Sequence, residues 1–510
     1  MSHFPVNWTG GTTSLYRRNL IKGAVALPFL YGLTPLARAT DPLLRYDIAS
    51  VQGQAMLAIY ADAVTRMKAL GDANPMSWLW QWYEHFVDGT TTKSNELTRI
   101  FGTTTSATRT LANDTWNTCQ SHSGQDANHF LPWHRLFIYY FERIIQQVSG
   151  RMDFTLPYWD YTSSDVTKRG ILPAQFCMPS DPLFGSLYRA ERTSLANSGL
   201  PIQKNQPGDQ MDISAAMATP NYSTVDTVQG FCRAIDSGIH GRIHVLVGNA
   251  KGMGAVPYAA RDPLFWVHHS NIDRMWASWN NNGGINPSTA TWAAHSFTFA
   301  DVNGVRVKKP LSSVFDMSTL GYGYDTYIPA PTAATKASAT ATQAFATASA
   351  SAVRSQRVGK AATGANLGAG SVNVTLVRVD GAPQANMLGL DASHPERRAY
   401  LVLKDLHTWV QPEVLFHLYL GPGNSSAAPG SHNYVGSINF FDAEFHDHGG
   451  GAMDEALGEN FYSFDVTPLL RHLANAGAHS SNSLRLTLVP GGRPSQGASP
   501  LVASIELFIR

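Results

Sequence analysis

The spacing of apolar residues changes near the middle of the chain and predicts two kinds of structure. Up to about residue 330, apolar residues recur at helical spacing, most clearly in the segments 46–70, 130–148 and 262–280. After residue 370, seven short runs are rich in β-branched and aromatic residues, with Gly, Pro or Asn turns between them: 371–379, 398–405, 413–420, 433–441, 460–466, 483–489 and 502–509. We therefore expect a mainly α domain followed by an all-β sandwich or barrel.

The segment between the two halves has the composition of a linker. Residues 331–370 are rich in Ala, Thr, Ser and Gly and contain no acidic residue. A chain of 510 residues exceeds what one ordinary hydrophobic core supports, so several domains are expected. We predict a helical domain over 40–330, a linker over 331–370 and a β-domain over 371–510.

The first 39 residues have the features of an export signal. They contain the pair Arg17-Arg18, a modest apolar stretch and the small-x-small site Ala37-Arg38-Ala39, and they lack acidic residues. The segment 1–39 resembles a twin-arginine signal peptide, which implies passage through the twin-arginine export machinery to the periplasm or the exterior. An N-terminal segment without a targeting role is the alternative. No other stretch has the length and apolarity of a membrane span, so no stable membrane anchor is expected after signal removal.

Composition and charge narrow the class of partner. The chain is 44% hydrophobic and 15% charged, with a formal net charge of +1, which is typical of a compact soluble protein. Nothing in this charge balance indicates nucleic-acid binding. The three cysteines, Cys119, Cys177 and Cys232, are too few and odd in number for a disulfide framework. The histidines are more informative.

Histidines stand beside acidic residues in helical segments that are otherwise strongly apolar. In HFLPWHRLFIYYFE, Glu142 follows His134 by two helical turns on the same face. In DPLFWVHHSNID, Asp273 follows His269 by one turn. A buried polar group is costly unless something binds it, and a carboxylate can hold the imidazole nitrogen that is not used for ligation. We predict that Glu142 and Asp273 support metal-binding histidines in this way.

A third segment makes one metal ion insufficient. IHGRIHVLVG places His240 and His244 at i, i+4 on one helical face. A site rich in imidazole and poor in thiolate suits copper or zinc. A single catalytic zinc needs three histidines together with a carboxylate base in the H-E-x-x-H style, which is absent here. The number of available histidines therefore favours two metal ions.

The segments FLPWHRLFIYYFE and DPLFWVHHSNID resemble the two copper-site signatures of the tyrosinase family of type-3 copper proteins. The second segment matches D-P-x-F-aromatic-x-x-H-x-x-x-D, so the resemblance implies His269 as a ligand rather than His268. It also implies a four-helix-bundle core that holds a dicopper site. LGYGYD resembles the motif that closes the family's core domain, in which Tyr322 and Tyr324 pack against an early arginine, here Arg45.

The resemblance, carried over by position, implies two copper ions per chain, each held by three histidines: His85, His122 and His134 for one, and His240, His244 and His269 for the other. The second ligand departs from the family pattern, because the usual position, nine residues before His134, is Gln125. We favour His122, with His129 as the alternative. Cys119 lies three residues before His122, so a thioether of the kind found in some family members and a plain buried thiol are both open.

The resemblance implies copper-dependent oxidation of phenols by O2. We expect ortho-hydroxylation of monophenols such as tyrosine to o-diphenols, and oxidation of o-diphenols to o-quinones that lead to melanin-like pigment. The phenol must lose its proton, and we predict that Asp236 positions a water for this step, although Gly241 replaces the Asn of many family hydroxylases. A helix-start cap is the alternative for Asp236. Met253, Gly254 and Val256 are predicted to line the substrate pocket.

Three other functions share the same ligands: a catechol oxidase without monophenolase activity, an o-aminophenol oxidase, and an O2-binding protein of the haemocyanin kind. The export signal and the single helical unit favour an enzyme over a carrier.

The β-domain resembles the C-terminal domain of plant and fungal family members, which covers the copper site. We expect 371–510 to act as such a lid, with Phe445 in the loop 440–455 closing the site. His446 and His448 of that loop are an alternative copper-handling pair.

Overall fold

Helices dominate the first half of the chain and strands the second, in a computed structural model that describes residues 42–120, 128–331, 355–379, 397–423, 429–444, 461–475 and 483–510. The longer helices are α1 Val51–Ala69, α2 Trp78–His85, α3 Lys93–Phe101, α4 Ala107–Thr115, α5 Phe130–Ser149, α6 Gly241–Val247, α7 Pro263–Asn281 and α8 Thr467–Asn475. Shorter helical segments are Ser194–Asn197, Ser214–Met217, Phe231–Arg233, Ala234–His240, Val256–Ala259 and Ala290–Ala294. The strands are β1 Leu43–Arg45, β2 Ser296–Ala300, β3 Arg306–Pro310, β4 Tyr322–Tyr324, β5 Gln356–Ala361, β6 Ala365–Asn366, β7 Val372–Arg378, β8 Ala399–His407, β9 Phe416–Pro422, β10 Tyr434–Ile438, β11 Phe461–Asp465, β12 Ser483–Pro490 and β13 Leu501–Ile509.

The three predicted helices are confirmed as α1, α5 and α7, and local capping residues set their ends. Ser50 caps α1 by accepting a hydrogen bond from the backbone N–H of Gly53. Asp262 caps α7, and Pro263 occupies its first turn, where a missing N–H costs nothing. Gly150 ends α5 in the left-handed conformation, at φ 72°.

Helix α5 lies at the centre of the helical domain, because α1 and α7 both pack against it and α2 packs against α1. Aromatic side chains fill the space between these helices. The ring of Phe141 on α5 stacks on Trp266 of α7 at 3.5 Å, and Trp78 of α2 meets Phe141 edge-on at 6.1 Å. The four helices thus form the predicted bundle core.

Strands β1 and β4 pair in parallel and close the helical domain. Arg45 at the end of β1 places its guanidinium 3.9 Å from the ring centroid of Tyr322, and its Nη1 donates a hydrogen bond to the hydroxyl of Tyr324 at 3.2 Å. Arg45 is buried in this position. The predicted packing of the Tyr-x-Tyr motif against an early arginine is confirmed.

All seven predicted strands of the C-terminal half are confirmed as β7 to β13, in one antiparallel sheet of nine strands. The sheet order is β10-β9-β12-β7-β5-β13-β8-β11, with β6 also paired to β13. One face carries a hydrophobic core of its own, which includes Leu403, Leu418, Leu486 and Leu507. The prediction of an all-β domain is therefore confirmed.

The linker prediction needs a correction at its C-terminal end. Strands β5 and β6 fall inside the segment 331–370, and both pair with β13. The β-domain therefore begins near Gln356, and the preceding residues 332–354 lie outside the described part of the chain. Contacts join Leu43–Arg510 into one compact unit.

The predicted export signal, residues 1–39, lies outside the described residues. Among the helices that the structure describes, none combines the length and the apolarity needed to cross a bilayer. Twin-arginine export stays a prediction from the sequence.

Candidate metal centre

His85 is the last residue of α2, a short helix held in the core by its aromatic residues. Ser77 starts the helix by accepting a hydrogen bond from the backbone N–H of Trp80 at 3.1 Å. The helix is buried along most of its length, so its end is fixed. The His85 ring is itself buried and lies 5.0 Å from the ring of Phe265 on α7.

His134 lies one turn into α5, and its ring is aimed by the backbone of the preceding turn. Its Nδ1–H donates a hydrogen bond to the carbonyl oxygen of Phe130 at 2.9 Å. This bond directs Nε2 inward, where it lies 3.6 Å from the sulfur of Cys119. Ligating atoms of His85, Cys119 and His134 all lie within 4.8 Å of one another. This group could hold one metal ion.

His240 and His244 are carried by an irregular helix. The segment Phe231–Arg233 continues into a wide helical turn, Ala234–His240, which is broken at Gly238 (φ −80°, ψ −107°) before α6 begins. Wide turns of this type are frequent at functional sites. The Nδ1 of His244 donates to the carbonyl of Met253 at 2.7 Å. This leaves Nε2 of His244 facing away from the backbone.

Helix α7 contributes two adjacent histidines to the same group. Ligating atoms of His240, His244, His268 and His269 lie within 4.8 Å of one another. The ring of His269 stacks on His134 at 4.3 Å with an interplanar angle of 10°, so it joins this group to the first one. The ring of His268 stacks on His240 at 5.6 Å. The two groups form one continuous candidate metal centre.

The protonation state of these histidines fits a metal centre. Burial, and next the neighbouring imidazoles, lower the pKa of His244 and His269 well below 6.5. The same causes lower the pKa of His268. Within the described residues, Nε2 of His244 and both ring nitrogens of His268 and His269 have no hydrogen-bond partner. Neutral imidazoles with available lone pairs are the ligands that copper prefers in such sites.

The structure brings together five of the six histidines that the sequence selected: His85, His134, His240, His244 and His269. His122 lies outside the described residues. The alternative, His129, is the N-cap residue of α5, and its ring stacks on His295 at 4.4 Å. Among the described residues it belongs to neither ligating group. The assignment of individual ligands stays a prediction.

The carboxylate predicted to hold His269 has other partners, so that prediction is wrong. Asp273 accepts hydrogen bonds from two tyrosine hydroxyls at 2.7 Å each and forms ion pairs with Arg135 and Arg45. Burial opposes its ionisation, but Arg135 and Arg45 outweigh burial and lower the pKa of Asp273. The carboxylate therefore fixes the position of α7 rather than the ring of His269.

The supporting role predicted for Glu142 is corrected in the same way. Its Oε2 accepts hydrogen bonds from Arg45 Nε at 2.9 Å and from the backbone N–H of Leu156 at 2.8 Å. The ring of His134 is instead aimed by the carbonyl of Phe130. Guanidinium groups attract buried carboxylates more strongly than neutral imidazoles do. Glu142 and Asp273 therefore form a buried ionic frame that joins β1, α5 and α7.

Asp236 is the acid that does contact a candidate ligand. Its Oδ1 lies 3.2 Å from Nδ1 of His240, and its carboxylate is buried. Burial, and next the nearby carboxylate of Asp442 from the β-domain, raise the pKa of Asp236. The residue lies inside the helical segment Ala234–His240 rather than at its cap. Its predicted role in positioning a water stays a prediction.

The three residues predicted to line the substrate pocket are buried, and one of them contacts a histidine. Met253 contributes its carbonyl oxygen to His244. Gly254 packs against the backbone of Gly248, where a Cβ would lie 2.5 Å from the carbonyl oxygen. Val256 begins the short helix Val256–Ala259 and is also buried. Their role as pocket wall stays a prediction.

A phenylalanine from the β-domain covers the candidate metal centre. The ring of Phe441 stacks on His244 at 4.0 Å with an interplanar angle of 8°, and it lies 5.6 Å from His240. Phe441 is buried within the hydrophobic core of the helical domain. The residue that the sequence selected for this role, Phe445, lies outside the described residues, as do His446 and His448. Phe441 follows the end of β10, and no local pattern distinguishes it.

The β-domain also fills the space beside Gly241, the position at which the sequence resemblance led us to look for an asparagine. A Cβ on Gly241 would lie 2.5 Å from Oδ1 of Asn439. The Asn439 side chain donates from Nδ2 to the carbonyl of Ser237 at 2.8 Å, and Tyr462 donates to the same carbonyl at 3.0 Å. An asparagine amide of the β-domain thus lies beside Gly241.

Comparison with known proteins gives matches in sequence and in fold. Residues 99–211 and 179–282 match the family model described as the common central domain of tyrosinase. A tyrosinase of a Hahella strain is 31% identical over 294 residues, which are 54% of this chain and 61% of that protein. A Vicia faba polyphenol oxidase is 28% identical over 228 residues, or 40% of this chain and 37% of that protein. The chain therefore spans less than two thirds of the length of these relatives.

Solved structures share the arrangement of helical domain and β-domain. The structure of latent apple tyrosinase has a TM-score of 0.58 at 20% identity, covering 93% of this chain and 99% of that one. A functional unit of octopus hemocyanin has a TM-score of 0.50 at 16% identity, covering 92% and 99%. At these identities the likeness shows a shared fold.

Proposed function

Because the chain belongs to the tyrosinase family of type-3 copper proteins, we propose that it binds two copper ions and oxidises phenols with O2. The observation that carries this proposal is the stacking of His134 on His269 at 4.3 Å, which joins two buried histidine groups into one centre. When bound, a copper pair supplies two-electron chemistry with O2. The chain supplies the ligands, their orientation and a site that excludes water.

Three side chains have their Nδ1 atoms fixed by the protein, which leaves Nε2 for the metal. Phe130 O holds His134, Asp236 holds His240, and Met253 O holds His244. Contacts of this kind select the tautomer and aim the ring. We propose His85, His134, His240, His244 and His269 as copper ligands, with His122 as the sixth.

We propose that the enzyme hydroxylates monophenols as well as oxidising o-diphenols, and that the quinones lead to melanin-like pigment. A phenol must lose its proton before it is oxidised, and this needs a base near the second histidine group. Asp236 is buried there with a raised pKa, which makes its carboxylate a stronger base than an exposed aspartate. Asp236 serves this step and also orients His240.

We propose that the β-domain is a lid and that Phe441 is the residue that closes the site. Its ring stacks on a ligand imidazole, which is where an aromatic substrate would otherwise lie. Phe441 stands in the short turn Phe441–Ala443, and Asn439 and Tyr462 anchor the surrounding strands to Ser237. A phenol reaches the histidines after this turn has moved away.

Copper content tests the metal centre. The wild-type chain should hold two copper ions by inductively coupled plasma mass spectrometry. His134→Ala and His244→Ala should each retain at most one, because each removes a ligand from a different group. His129→Ala is the matched control, since its ring stacks on His295 outside both groups, and it should keep two. Loss of copper in His129→Ala with full copper in His134→Ala would reverse the assignment.

Oxygen uptake separates the activities. The copper-loaded chain, with the β-domain released by a protease site inserted within 332–354, should consume O2 and form quinone from 4-tert-butylcatechol, L-DOPA and tyrosine. Quinone from L-DOPA without any from tyrosine would limit the function to catechol oxidation. Reversible O2 binding without quinone from any of the three phenols would make the protein a carrier.

A further inference from the structure

The first histidine group contains a sulfur atom as well as imidazole nitrogens. Ligating atoms of His85, Cys119 and His134 lie within 4.8 Å of one another. In the second group, the described residues supply only imidazoles. None of the three cysteines of the chain forms a disulfide. The two groups therefore offer different donor atoms to a metal ion.

Backbone hydrogen bonds hold Cys119 beside the end of α2. The two N–H groups of the segment 117–118 donate to the carbonyl oxygens of Tyr83 and Glu84, at 3.0 and 3.2 Å. These carbonyls belong to the last turn of α2, where the helix itself supplies no donor. His85 ends the same helix. The segment that carries the sulfur is thus tied to the turn that carries a candidate ligand.

The sulfur lies where a metal ion on His134 would bind. Nδ1 of His134 donates to the backbone, so Nε2 carries the lone pair, and Sγ of Cys119 lies 3.6 Å from it. The thiol proton lies between these two atoms. A metal ion at the usual distances, about 2.0 Å from nitrogen and about 2.3 Å from sulfur, would span the 3.6 Å separation at an angle of about 114°, between tetrahedral and trigonal geometry. One ion can therefore contact both atoms where they stand.

A thiolate changes which ion this group prefers. Soft thiolate ligands suit Cu(I) and Zn²⁺, and of these ions copper is the one that the proposed function uses. Burial raises the pKa of the Cys119 thiol, so the sulfur keeps its proton until a metal ion displaces it. The displaced proton passes to solvent, and the copper keeps its oxidation state.

We propose that Cys119 binds Cu(I) together with His85 and His134. The sulfur adds a soft ligand to the histidines proposed above, so the first group should bind Cu(I) more tightly than the second. This inference rests on the proposed function only in the choice of copper, and it concerns binding rather than reaction with O2.

X-ray absorption at the copper edge tests the sulfur ligand directly. The sample is the full chain with His244→Ala, which disables the second group, loaded with one equivalent of Cu(I) without oxygen. One sulfur at about 2.3 Å should appear beside the nitrogen ligands, and it should be absent when Cys119→Ser is added. Cys177→Ser is the matched control and should keep the sulfur signal, because Cys177 has a similar exposure and belongs to neither group. Nitrogen ligands alone, or a sulfur signal that survives Cys119→Ser, would overturn the proposal.

Competition with bicinchoninate gives the Cu(I) affinity of the same samples. Cys119→Ser should lower this affinity by at least about 10-fold, because even a residue that only supports a ligand costs about 10–100-fold when it is replaced. Cys177→Ser should leave it unchanged. The chain with His134→Ala, in which the second group remains, should bind Cu(I) more weakly than the chain with His244→Ala. An unchanged affinity in Cys119→Ser would refute the role of the sulfur.

Two further results separate this inference from a covalent alternative and from the proposed function. Iodoacetamide should alkylate all three cysteines of the unfolded, copper-free chain; an unmodified Cys119, with an intact mass lower by two hydrogens, would show a thioether and overturn the proposal. A chain that binds no Cu(I) in either group would overturn the proposed function as well, whereas binding through nitrogen alone would overturn only the role of Cys119. If Cys119→Ser does not fold, the spectrum of the His244→Ala sample still decides whether sulfur is a ligand.

Discussion

Replacing Gly241 by alanine should loosen the β-domain without harming the helical domain. A Cβ on Gly241 meets Oδ1 of Asn439 at 2.5 Å and Nδ2 at 2.7 Å, whereas ordinary van der Waals contact lies between 3.4 and 4 Å. The backbone of Gly241 is helical, at φ −62° and ψ −34°. Alanine therefore fits α6 and is expected to stabilise this helix by up to about 1 kcal/mol.

The cost falls on the hydrogen bonds of Asn439. Its amide must withdraw, which breaks the bond from Nδ2 to the carbonyl of Ser237 at 2.8 Å and the bond from the Phe441 N–H to Oδ1 at 3.1 Å. Ser237 keeps its bond from Tyr462 at 3.0 Å, so the main loss is at Phe441. Removing one partner of a buried hydrogen bond costs about 1–3 kcal/mol. The released fraction should rise by about 5- to 150-fold.

The assay is the turnover of 4-tert-butylcatechol by the intact chain, divided by the turnover of the same sample after cleavage at a protease site inserted within 332–354. This ratio should rise in Gly241→Ala, because the intact chain opens more often. The cleaved samples of wild type and variant should be equally active, and the variant should be at least as resistant to heat as the wild type. Gly71→Ala, where a Cβ meets nothing within 4 Å, is the control.

A double-mutant cycle with Asn439→Ala isolates the proposed collision. Once the Asn439 amide is absent, alanine at position 241 meets no obstacle there and should add little to the ratio, so the two substitutions should be strongly non-additive. Additive effects would refute the collision as the cause. An unchanged ratio in Gly241→Ala alone would refute the proposed docking of Asn439 beside α6.

Three further predictions concern charge. Asp236→Asn should reduce the oxidation of tyrosine far more than that of L-DOPA in oxygen-uptake assays. Equal losses on both substrates would mean that Asp236 only orients His240. Asp273→Asn should lower the free energy of unfolding in urea by about 3–5 kcal/mol, because it removes the carboxylate that pairs with the buried Arg135 and leaves Arg45 with Glu142 alone. Asp62→Asn, at an exposed pair, should cost less than about 1 kcal/mol. Burial lowers the pKa of His417 to about 4 where its ring contacts Gln206 of the helical domain. An imidazole whose pKa is lowered in the docked form stabilises docking fully above pH 6.5 and loses that contribution as the pH falls toward 4. The turnover ratio should therefore rise in this pH window, and it should rise less in His417→Gln.

Local patterns predicted the elements of this fold because they are properties of short segments. Helix α5 was predicted at 130–148 and lies at Phe130–Ser149, since its apolar spacing and Gly150 both act within a few turns. The seven strands from β7 to β13 were predicted in the same way, from runs rich in β-branched and aromatic residues with turn residues between them. Strands β5 and β6 were missed because the surrounding Ala, Thr and Ser indicated a linker. Both pair with the distant β13, and β5 also pairs with the nearer β7.

The partners of buried charges could not be predicted from sequence distance. Asp273 stands one helical turn from His269, and this spacing indicated a carboxylate–histidine pair. Its strongest partners are Arg135 and Arg45, which are 138 and 228 residues away. A buried carboxylate is stabilised more by a guanidinium than by a neutral ring. The carboxylate that does reach a histidine is Asp236, at i, i+4 from His240 on the irregular helix.

The contact between Phe441 and His244 was not predicted for a different reason, because it depends on how two domains meet. The sequence selected Phe445, which lies outside the described residues, and Phe441 has no local pattern that marks it. The docking of Asn439 and Tyr462 on Ser237 brings the turn Phe441–Ala443 over the histidines.

The irregular turn Ala234–His240 joins the geometry of the metal centre to the docking of the β-domain. In a regular helix the carbonyl of Ser237 would accept a hydrogen bond from the N–H of Gly241. Here that N–H bonds to the carbonyls of Asp236 and Gly238 instead, because the backbone is broken at Gly238. The carbonyl of Ser237 can therefore accept two bonds from the β-domain. The same break sets the position of His240, so a change in this turn should alter copper geometry and lid docking together.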